Sequence, residues 1–364
     1  MEQITTIGLD LAKDVFQIAG GMAGQKPKFN RKLQRKDVLA TFAKLPPCLV
    51  GMEACQSAHF WSRQLTGLGH TVKLMPAKQV KAFVNRGKTD ATDAEANRVA
   101  ASLDHVTQVP AKTEDQQCLL MLHKSRRTLQ KQRTLLINTI RGHLAELGVV
   151  DAKGDEGFKR LLAQLATGPS EGHSDVHSAT TASALPALAR LALLPLAAAL
   201  EAIDAGMAKL MAAIRLTFKT DATSRRLETI PGVGPIGATA FAAAVGNAAA
   251  FKSGRDFAAS LGLTPRLDGT GGKVKLGKIT KQGNGYLRSL LYLGGVARLK
   301  AARARPEKAD AWVLRLLTEK SYKAAAIALA NKTARIIWAL LVRGGTYVAS
   351  HQPAVPVARA LACP

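Results

Sequence analysis

Ile4-Thr5-Thr6-Ile7-Gly8-Leu9-Asp10 is a short apolar run that stops on an acid. Its length and β-branched content predict a buried strand whose end reaches water at Asp10. Cys48-Leu49-Val50-Gly51-Met52-Glu53 repeats the pattern, again apolar and again ending on an acid. Val15-Phe16-Gln17-Ile18-Ala19 reads as a further strand with Gly20-Gly21 as a turn, and Thr71–Met75 as another, stopped by Pro76. Between them, Lys36–Leu45 and Ala58–Leu68 carry helical spacing. Strands alternating with helices over residues 1–112 predict an α/β domain, a mixed sheet with helices packed on it.

Beyond this region the period changes to 3.6. Leu119, Leu122, Leu129, Leu136, Ile140, Leu144 and Leu147 line one side of a long helical stretch, 114–147. A second stretch follows at 185–218, after the polar linker 167–183. Residues 113–224 therefore read as a helical, coiled-coil region. Residues 225–345 read as a third, mainly helical domain, with Phe251–Leu261 helical, a Gly- and Lys-rich loop over Thr264–Gly285, and helices at 286–303, 309–318 and 321–341. Residues 346–364, with Pro353 and Pro356, read as a tail.

The chain has 364 residues and a formal net charge of +25. Such an excess repels itself unless polyanions neutralise it, so nucleic acid is the expected partner. The charge is not spread evenly. Residues 269–364 hold 17 Lys and Arg against three acids, and Lys124, Arg126, Arg127, Lys131, Arg133 and Arg141 form an acid-free basic helix. Aromatics are only 5%, which argues against binding that relies mainly on stacked bases. Four cysteines form no CxxC pair, so neither a disulfide framework nor a structural zinc site is expected. The N-terminus lacks the basic-then-apolar order of a signal peptide. Leu185–Ile214 is interrupted by Pro186, Arg190, Pro195, Glu201, Asp204 and Lys209. It never reaches the ~18 uncharged apolar residues of a membrane span. A cytoplasmic protein without membrane contact is expected.

Two constellations carry chemistry. Asp10 and Glu53 end strands, while Asp90 and Asp93, three apart in Lys88-Thr89-Asp90-Ala91-Thr92-Asp93, share one face of a starting helix. Converging carboxylates repel, and bound Mg²⁺, which prefers oxygen ligands, resolves that. Two such ions could clamp the attacking and leaving oxygens of a phosphodiester. The plainer alternative is an Asp90 N-cap with first-turn acids that favour the helix dipole. The second constellation is the loop, where Thr270 stands among Gly269, Gly271 and Gly272, with Arg266, Lys273, Lys275, Lys278, Lys281 and Arg288 around it. Glycines let backbone amides approach phosphate, and the cations neutralise it. Here the alternative is a phosphate-contacting loop in which the hydroxyl is incidental. Ile230-Pro231-Gly232-Val233-Gly234 resembles a helix-hairpin-helix turn, in which Gly232 and Gly234 present amides to a DNA backbone, or equally a tight turn between packed helices.

Taken in order, Ile7–Lys13, Gly51–Ala54, Lys88–Ala94, Ile230–Gly234, Leu261–Arg266 and Gly277–Asn284 resemble the DEDD transposases of the insertion-sequence 110/1111 family, the RNA-guided recombinases. The resemblance covers nearly the whole chain. It implies an RNase H-like (RuvC-like) domain over 1–112 in which Asp10, Glu53, Asp90 and Asp93 bind Mg²⁺, with two ions expected per site. It implies a coiled-coil middle and a C-terminal transposase domain over 225–345. It also implies a structured bridge RNA, from the element's own non-coding end, that pairs with donor and target DNA. A homo-oligomer, a dimer of dimers, would act in the prokaryotic cytoplasm at the nucleoid. The family's serine nucleophile, which forms a covalent link to DNA, falls where this chain has Thr270. The extra methyl stiffens χ1 and crowds the approach. The alternatives are a catalytically impaired protein, or attack by Ser253 or Ser260, both of which fall in an expected helix. Two other readings account for part of the pattern: a metal-dependent junction-resolving nuclease without a covalent intermediate, and a non-catalytic RNA- or DNA-binding protein.

Overall fold

A computed structural model of the chain describes residues 4–84, 87, 89–166, 185–270 and 273–348. The expected linker 167–183, and the expected tail from 349 onward, lie outside the described residues. The chain forms two compact units, Met1–Gln117 and Cys118–Pro364.

The first unit is built on β1 (Thr6–Asp10), β2 (Val15–Gly21), β3 (Phe29–Gln34), α1 (Val38–Phe42), β4 (Leu49–Glu53), α2 (Ala58–Gly67), β5 (Thr71–Met75), α3 (Ala77–Val80) and α4 (Asp90–Ala101). The strands form one sheet in the order β3-β2-β1-β4-β5. β1 runs antiparallel to β2 and parallel to β4, and β4 runs parallel to β5. Alternation along β1 and β4 sends Ile7, Leu9, Val50 and Met52 into a core closed by Phe16, Trp61 and Leu65. The opposite face is covered by α4. Gly8 and Gly51, paired across β1 and β4, lie beneath it. A Cβ on Gly8 would stand 1.9 Å from the Ala94 carbonyl oxygen, and one on Gly51 2.4 Å from that of Asn97. Only glycine lets this helix lie directly on the strands.

One expectation is corrected here, and one strand is added. Gly20 and Gly21 are not a turn but the last residues of β2, and the chain reverses after them. The Phe29 ring lies over Gly20, its tip 2.2 Å from where a Cβ would sit. β3 went unrecognised because its residues, Phe-Asn-Arg-Lys-Leu-Gln, form an exposed edge strand with little apolar signal.

The second unit holds most of α5 (Glu114–Glu146), with α6 (Asp155–Ala166), α7 (Ala187–Thr220), α8 (Ala222–Glu228), α9 (Pro235–Ala244), α10 (Gly254–Ser260), β6 (Pro265–Thr270), β7 (Lys273–Ile279), α11 (Gly285–Ala304), α12 (Ala311–Glu319) and α13 (Tyr322–Arg343). Ile140 and Leu144 of α5, Phe158 and Leu161 of α6, and Leu193 and Leu200 of α7 share one core. A second core gathers Leu227, Phe241, Phe257, Leu291 and Ile337 from α8, α9, α10, α11 and α13. The expected loop over Thr264–Gly285 is corrected to a hairpin, β6 against β7, with Thr270 paired to Lys273. The two glycines between them are a turn signal, since the favoured two-residue hairpin turns need positive φ. The alternation around them is weak because Leu267 and Leu276, the cross-strand apolar pair, are both more than two-thirds exposed.

By length and composition α7 and α13 are apolar enough to cross a membrane. α13 instead supplies Ala330, Ala334 and Ile337 to a packed core. α7 carries Pro195, Glu201 and Asp204 within its length and shares a core with α5 and α6.

Candidate active site

Pairing between β1 and β4 brings Leu9 opposite Met52, so Asp10 and Glu53 are the next residues on neighbouring parallel strands. Each stands two residues beyond a glycine, Gly8 and Gly51, that lies against α4. Side chains two apart share a face, so both acids stand on the α4 side of the sheet. Cys55 reports their proximity. Burial raises its thiol pKa first, and the charge of Glu53 and then that of Asp10 raise it further.

α4 begins with Thr89, not Asp90, as its N-cap. The Thr89 hydroxyl accepts from the Thr92 amide at 3.2 Å, and Thr92 Oγ1 accepts from the Thr89 amide at 3.0 Å. This reciprocal box fixes the first turn and leaves Asp90 and Asp93 within it, where the helix dipole favours negative charge. Asp90 is exposed and Asp93 half-buried. Asp90, Asp93 and Asn97 are spaced to lie on one face. Asn97 orients that face, because its Nδ2 donates to the Leu9 carbonyl at 3.2 Å, one residue before Asp10. The sheet and α4 thus place the four expected ligands on the same face of the sheet.

The donor chemistry fits a hard divalent cation. All four groups are carboxylates, and the buried Asn97 Oδ1 beside them has no hydrogen-bond partner. Mg²⁺ favours such oxygen donors and keeps several waters. The side chains themselves are not drawn together. Among the described residues no group of three His, Cys, Asp or Glu stands close enough to hold an ion.

Asn97 and Arg98 escaped the sequence reading. Arg98 is 2% exposed and sits between Glu95 and the reversal after β2. It bonds both Glu95 oxygens, at 2.9 and 2.7 Å, and its guanidinium also donates to the carbonyls of Met22 at 2.7 Å and Gln25 at 2.5 Å. The only signal available was the Glu–Arg spacing of three, which on a surface helix is commonplace.

In the second unit Thr270 is the last residue of β6, at the tip of the hairpin. Gly271, Gly272 and the side chains of Thr270 and Lys273 lie outside the described residues. Arg266, Lys275, Lys278 and Lys281 are exposed along the ribbon. Arg288 is spent on structure, donating to the carbonyls of Leu261 at 2.9 Å and Gln282 at 2.7 Å. Neither alternative serine has an idle hydroxyl. Ser253 caps α10, accepting from the Asp256 amide, and Ser260 donates to the Phe257 carbonyl at 2.7 Å. Gly232, at φ +86°, is pressed against α11, where a Cβ would stand 2.7 Å from the Gly294 carbonyl oxygen, whereas nothing lies within 4 Å of one on Gly234. The two glycines therefore differ: Gly232 permits helix packing, and Gly234 leads openly into α9.

The six cations of α5 also divide. Arg133 pairs with Asp204 at 2.7 Å and Asp155 at 3.6 Å. Arg141 donates to the carbonyls of Asp151, Ala152 and Gly154. Arg126 donates to the Met211 sulfur. Lys124, Arg127 and Lys131 are exposed, with Arg127 over the Tyr286 ring at 5.7 Å.

Two family models match the chain. One, described as Transposase, of the DEDD type, matches residues 7–148, and the other, described as Transposase IS116/IS110/IS902 family, matches residues 224–311. The y4pF/y4sB protein of Sinorhizobium fredii, named as a transposase, is 42% identical over 95% of this chain and 86% of its own length. The transposase for insertion sequence element IS1111A of Coxiella burnetii is 35% identical over 95% of this chain and 92% of its own. That for IS1328 of Yersinia enterocolitica is 34% identical over 95% and 99%.

Proposed function

The chain belongs to the IS116/IS110/IS902 transposase family, and from that premise we propose that it is an RNA-guided recombinase whose DNA chemistry joins the carboxylates Asp10, Glu53, Asp90 and Asp93 to the hydroxyl of Thr270. The chain is a transposase, an enzyme that cuts and transfers DNA strands. The observation that carries the finer reading is the Asp10–Glu53 strand-end pair with α4 laid across its sheet face. A five-stranded sheet with three antiparallel and two further parallel strands supports an RNase H-like first domain.

In this reading Asp10, Glu53, Asp90 and Asp93 would hold Mg²⁺, which when bound would supply Lewis-acid stabilisation of charge at the phosphodiester. Thr270 Oγ1 attacks phosphorus, giving up its proton and forming a threonyl phosphodiester. The P–O bond to the neighbouring deoxyribose breaks, and that oxygen leaves as a hydroxyl. Attack by a deoxyribose hydroxyl of another strand reverses the step and releases Thr270. The uncompensated cations of the second unit hold the DNA and a structured bridge RNA that specifies donor and target. The active assembly is a homo-oligomer, a dimer of dimers.

Asp10→Asn tests the carboxylates: recombination should vanish while RNA binding persists. Unchanged recombination would overturn the metal site. Mass spectrometry of a trapped protein–DNA adduct should map to Thr270, and an adduct at any other residue overturns that assignment.

A further inference from the structure

An open groove of about 1780 Å³ lies in the second unit, between the base of the β6–β7 hairpin and the α12–α13 pair. It exceeds the ~300–1,000 Å³ of a small-molecule pocket, which points to a polymer. Its rim is cationic. Lys278 and Lys281 come from the hairpin and its exit, and Arg255 from α10. Lys320, Lys323, Lys332, Arg335 and Arg343 come from α13 and the residues before it. No acid stands among the described residues that line it. Eight cations without a carboxylate in one concave surface call for a polyanion.

The floor selects among polyanions. Trp312, Trp338 and Tyr292 line it, so two of the chain's three tryptophans meet here despite its low aromatic content. Lys332 Nζ stands over the Trp312 ring, 4.1 Å from its centre, so one face of that ring already carries a cation. A duplex keeps its bases stacked inside and could offer this floor only its backbone. An unpaired strand offers both phosphate for the rim and a base face for the rings. The geometry points to a binding site for single-stranded DNA, the species exposed when a transposase separates strands. The assignment rests on DNA being the substrate, and it adds a holding site that is distinct from the carboxylates and from Thr270.

The test measures binding of a fluorescein-labelled twelve-residue thymidine oligomer to the full chain by anisotropy, across a salt series. The variant Lys323→Glu/Arg335→Glu/Arg343→Glu changes three exposed side chains of α13. Each single-strand phosphate contact contributes ~0.7 to the log–log salt slope, so the slope should fall by about 2 and affinity at 0.1 M salt by on the order of 100-fold. Lys300→Glu, exposed on α11 and outside the groove, should change affinity by less than ~5-fold, about one phosphate contact. An abasic oligomer should bind the unaltered protein on the order of 10-fold more weakly. Unchanged affinity of the triple variant, or equal affinity for the abasic strand, overturns the site. A matching loss for duplex DNA overturns the single-strand assignment, and a groove-dependent preference for oligouridine overturns DNA as the occupant. An unaltered chain that binds no DNA in any form instead overturns the functional reading beneath it.

Discussion

Asn97 donates its side-chain amide to the carbonyl of Leu9 at 3.2 Å, fixing α4 to the strand that ends one residue later at Asp10. The bond ties the helix that carries Asp90 and Asp93 to the sheet that carries Asp10 and Glu53. Asn97→Leu keeps the γ-branched outline, removes the tie and leaves the Leu9 carbonyl without this donor. We expect a cost of ~1–2 kcal/mol, because the variant also removes the unpartnered Oδ1. The functional readout is thermal. Mg²⁺ should raise the Tm of the unaltered protein through binding to the folded state, and the increment should shrink in Asn97→Leu. An increment of equal size in both would sink the positioning role.

Gly8 and Gly67 make opposite predictions for the same substitution. A Cβ on Gly8 would lie 1.9 Å from the Ala94 carbonyl oxygen and 2.4 Å from the Arg98 nitrogen. Both are backbone atoms of α4, so no rotamer change relieves the clash. Gly8→Ala should cost ~3 kcal/mol or more through displacement of the helix. Nothing lies within 4 Å of a Cβ on Gly67, the last residue of α2, so Gly67→Ala should be neutral or stabilising by up to ~1 kcal/mol. Paired denaturant melts check both, and equal effects would contradict the packing described.

The strand-end acids were legible in the sequence because each closes an apolar run, and the helix start because Asp90 and Asp93 stand three apart, although the N-cap is Thr89 rather than Asp90. The edge strand β3 was not legible, since exposure removes the apolar alternation that marks a strand. The hairpin was hidden for a related reason: Leu267 and Leu276 face solvent, and most of its remaining positions are polar or glycine. Arg98 and Asn97 look like surface-helix residues by type. Only the sheet beneath them shows that both are buried. The aromatic floor of the groove was masked by averaging, because Tyr292, Trp312 and Trp338 are far apart in sequence and share one wall only after folding.

Arg98 yields a third prediction. Its guanidinium serves Glu95, Met22 and Gln25 at once. Arg98→Met strands two carbonyls and a carboxylate, and we expect ~3–5 kcal/mol of destabilisation. Glu95 is 27% exposed, so Glu95→Gln should cost much less, ~1 kcal/mol. Comparable losses in the two variants would show that the ion pair, rather than the clamp on the β2–β3 reversal, supplies the stability.

His123 sets a pH dependence. The ring is buried between Tyr286 Oη at 3.0 Å and Thr239 Oγ1 at 3.1 Å. Burial first, and the charge of Arg126 second, lower its pKa to about 4 from 6.5. Below pH 6.5 the unfolded chain therefore binds the proton that the folded chain refuses. The stability held by the neutral ring is complete above that pH and declines as pH falls toward 4, by ~2–3 kcal/mol in all. The Tm of the unaltered protein should drop between pH 7 and pH 5, and His123→Gln should flatten that slope. Parallel slopes would exclude His123 as the source.

Thr270 closes the chemical argument. In the proposed mechanism its hydroxyl is the nucleophile, while the β-methyl restricts χ1 and crowds the in-line approach to phosphorus. Thr270→Ser removes the methyl and keeps the attacking oxygen, so strand cleavage should be as fast or up to ~10-fold faster, a barrier change of ~1.4 kcal/mol. Thr270→Val keeps the shape and removes the oxygen, so the covalent adduct should disappear while DNA binding is retained. Single-turnover cleavage of a labelled substrate separates the two. Adduct formation by Thr270→Val would transfer the nucleophile's role elsewhere. A Ser variant slower than the native threonine would instead mean that the hairpin tip uses the methyl to hold the hydroxyl in its attacking rotamer.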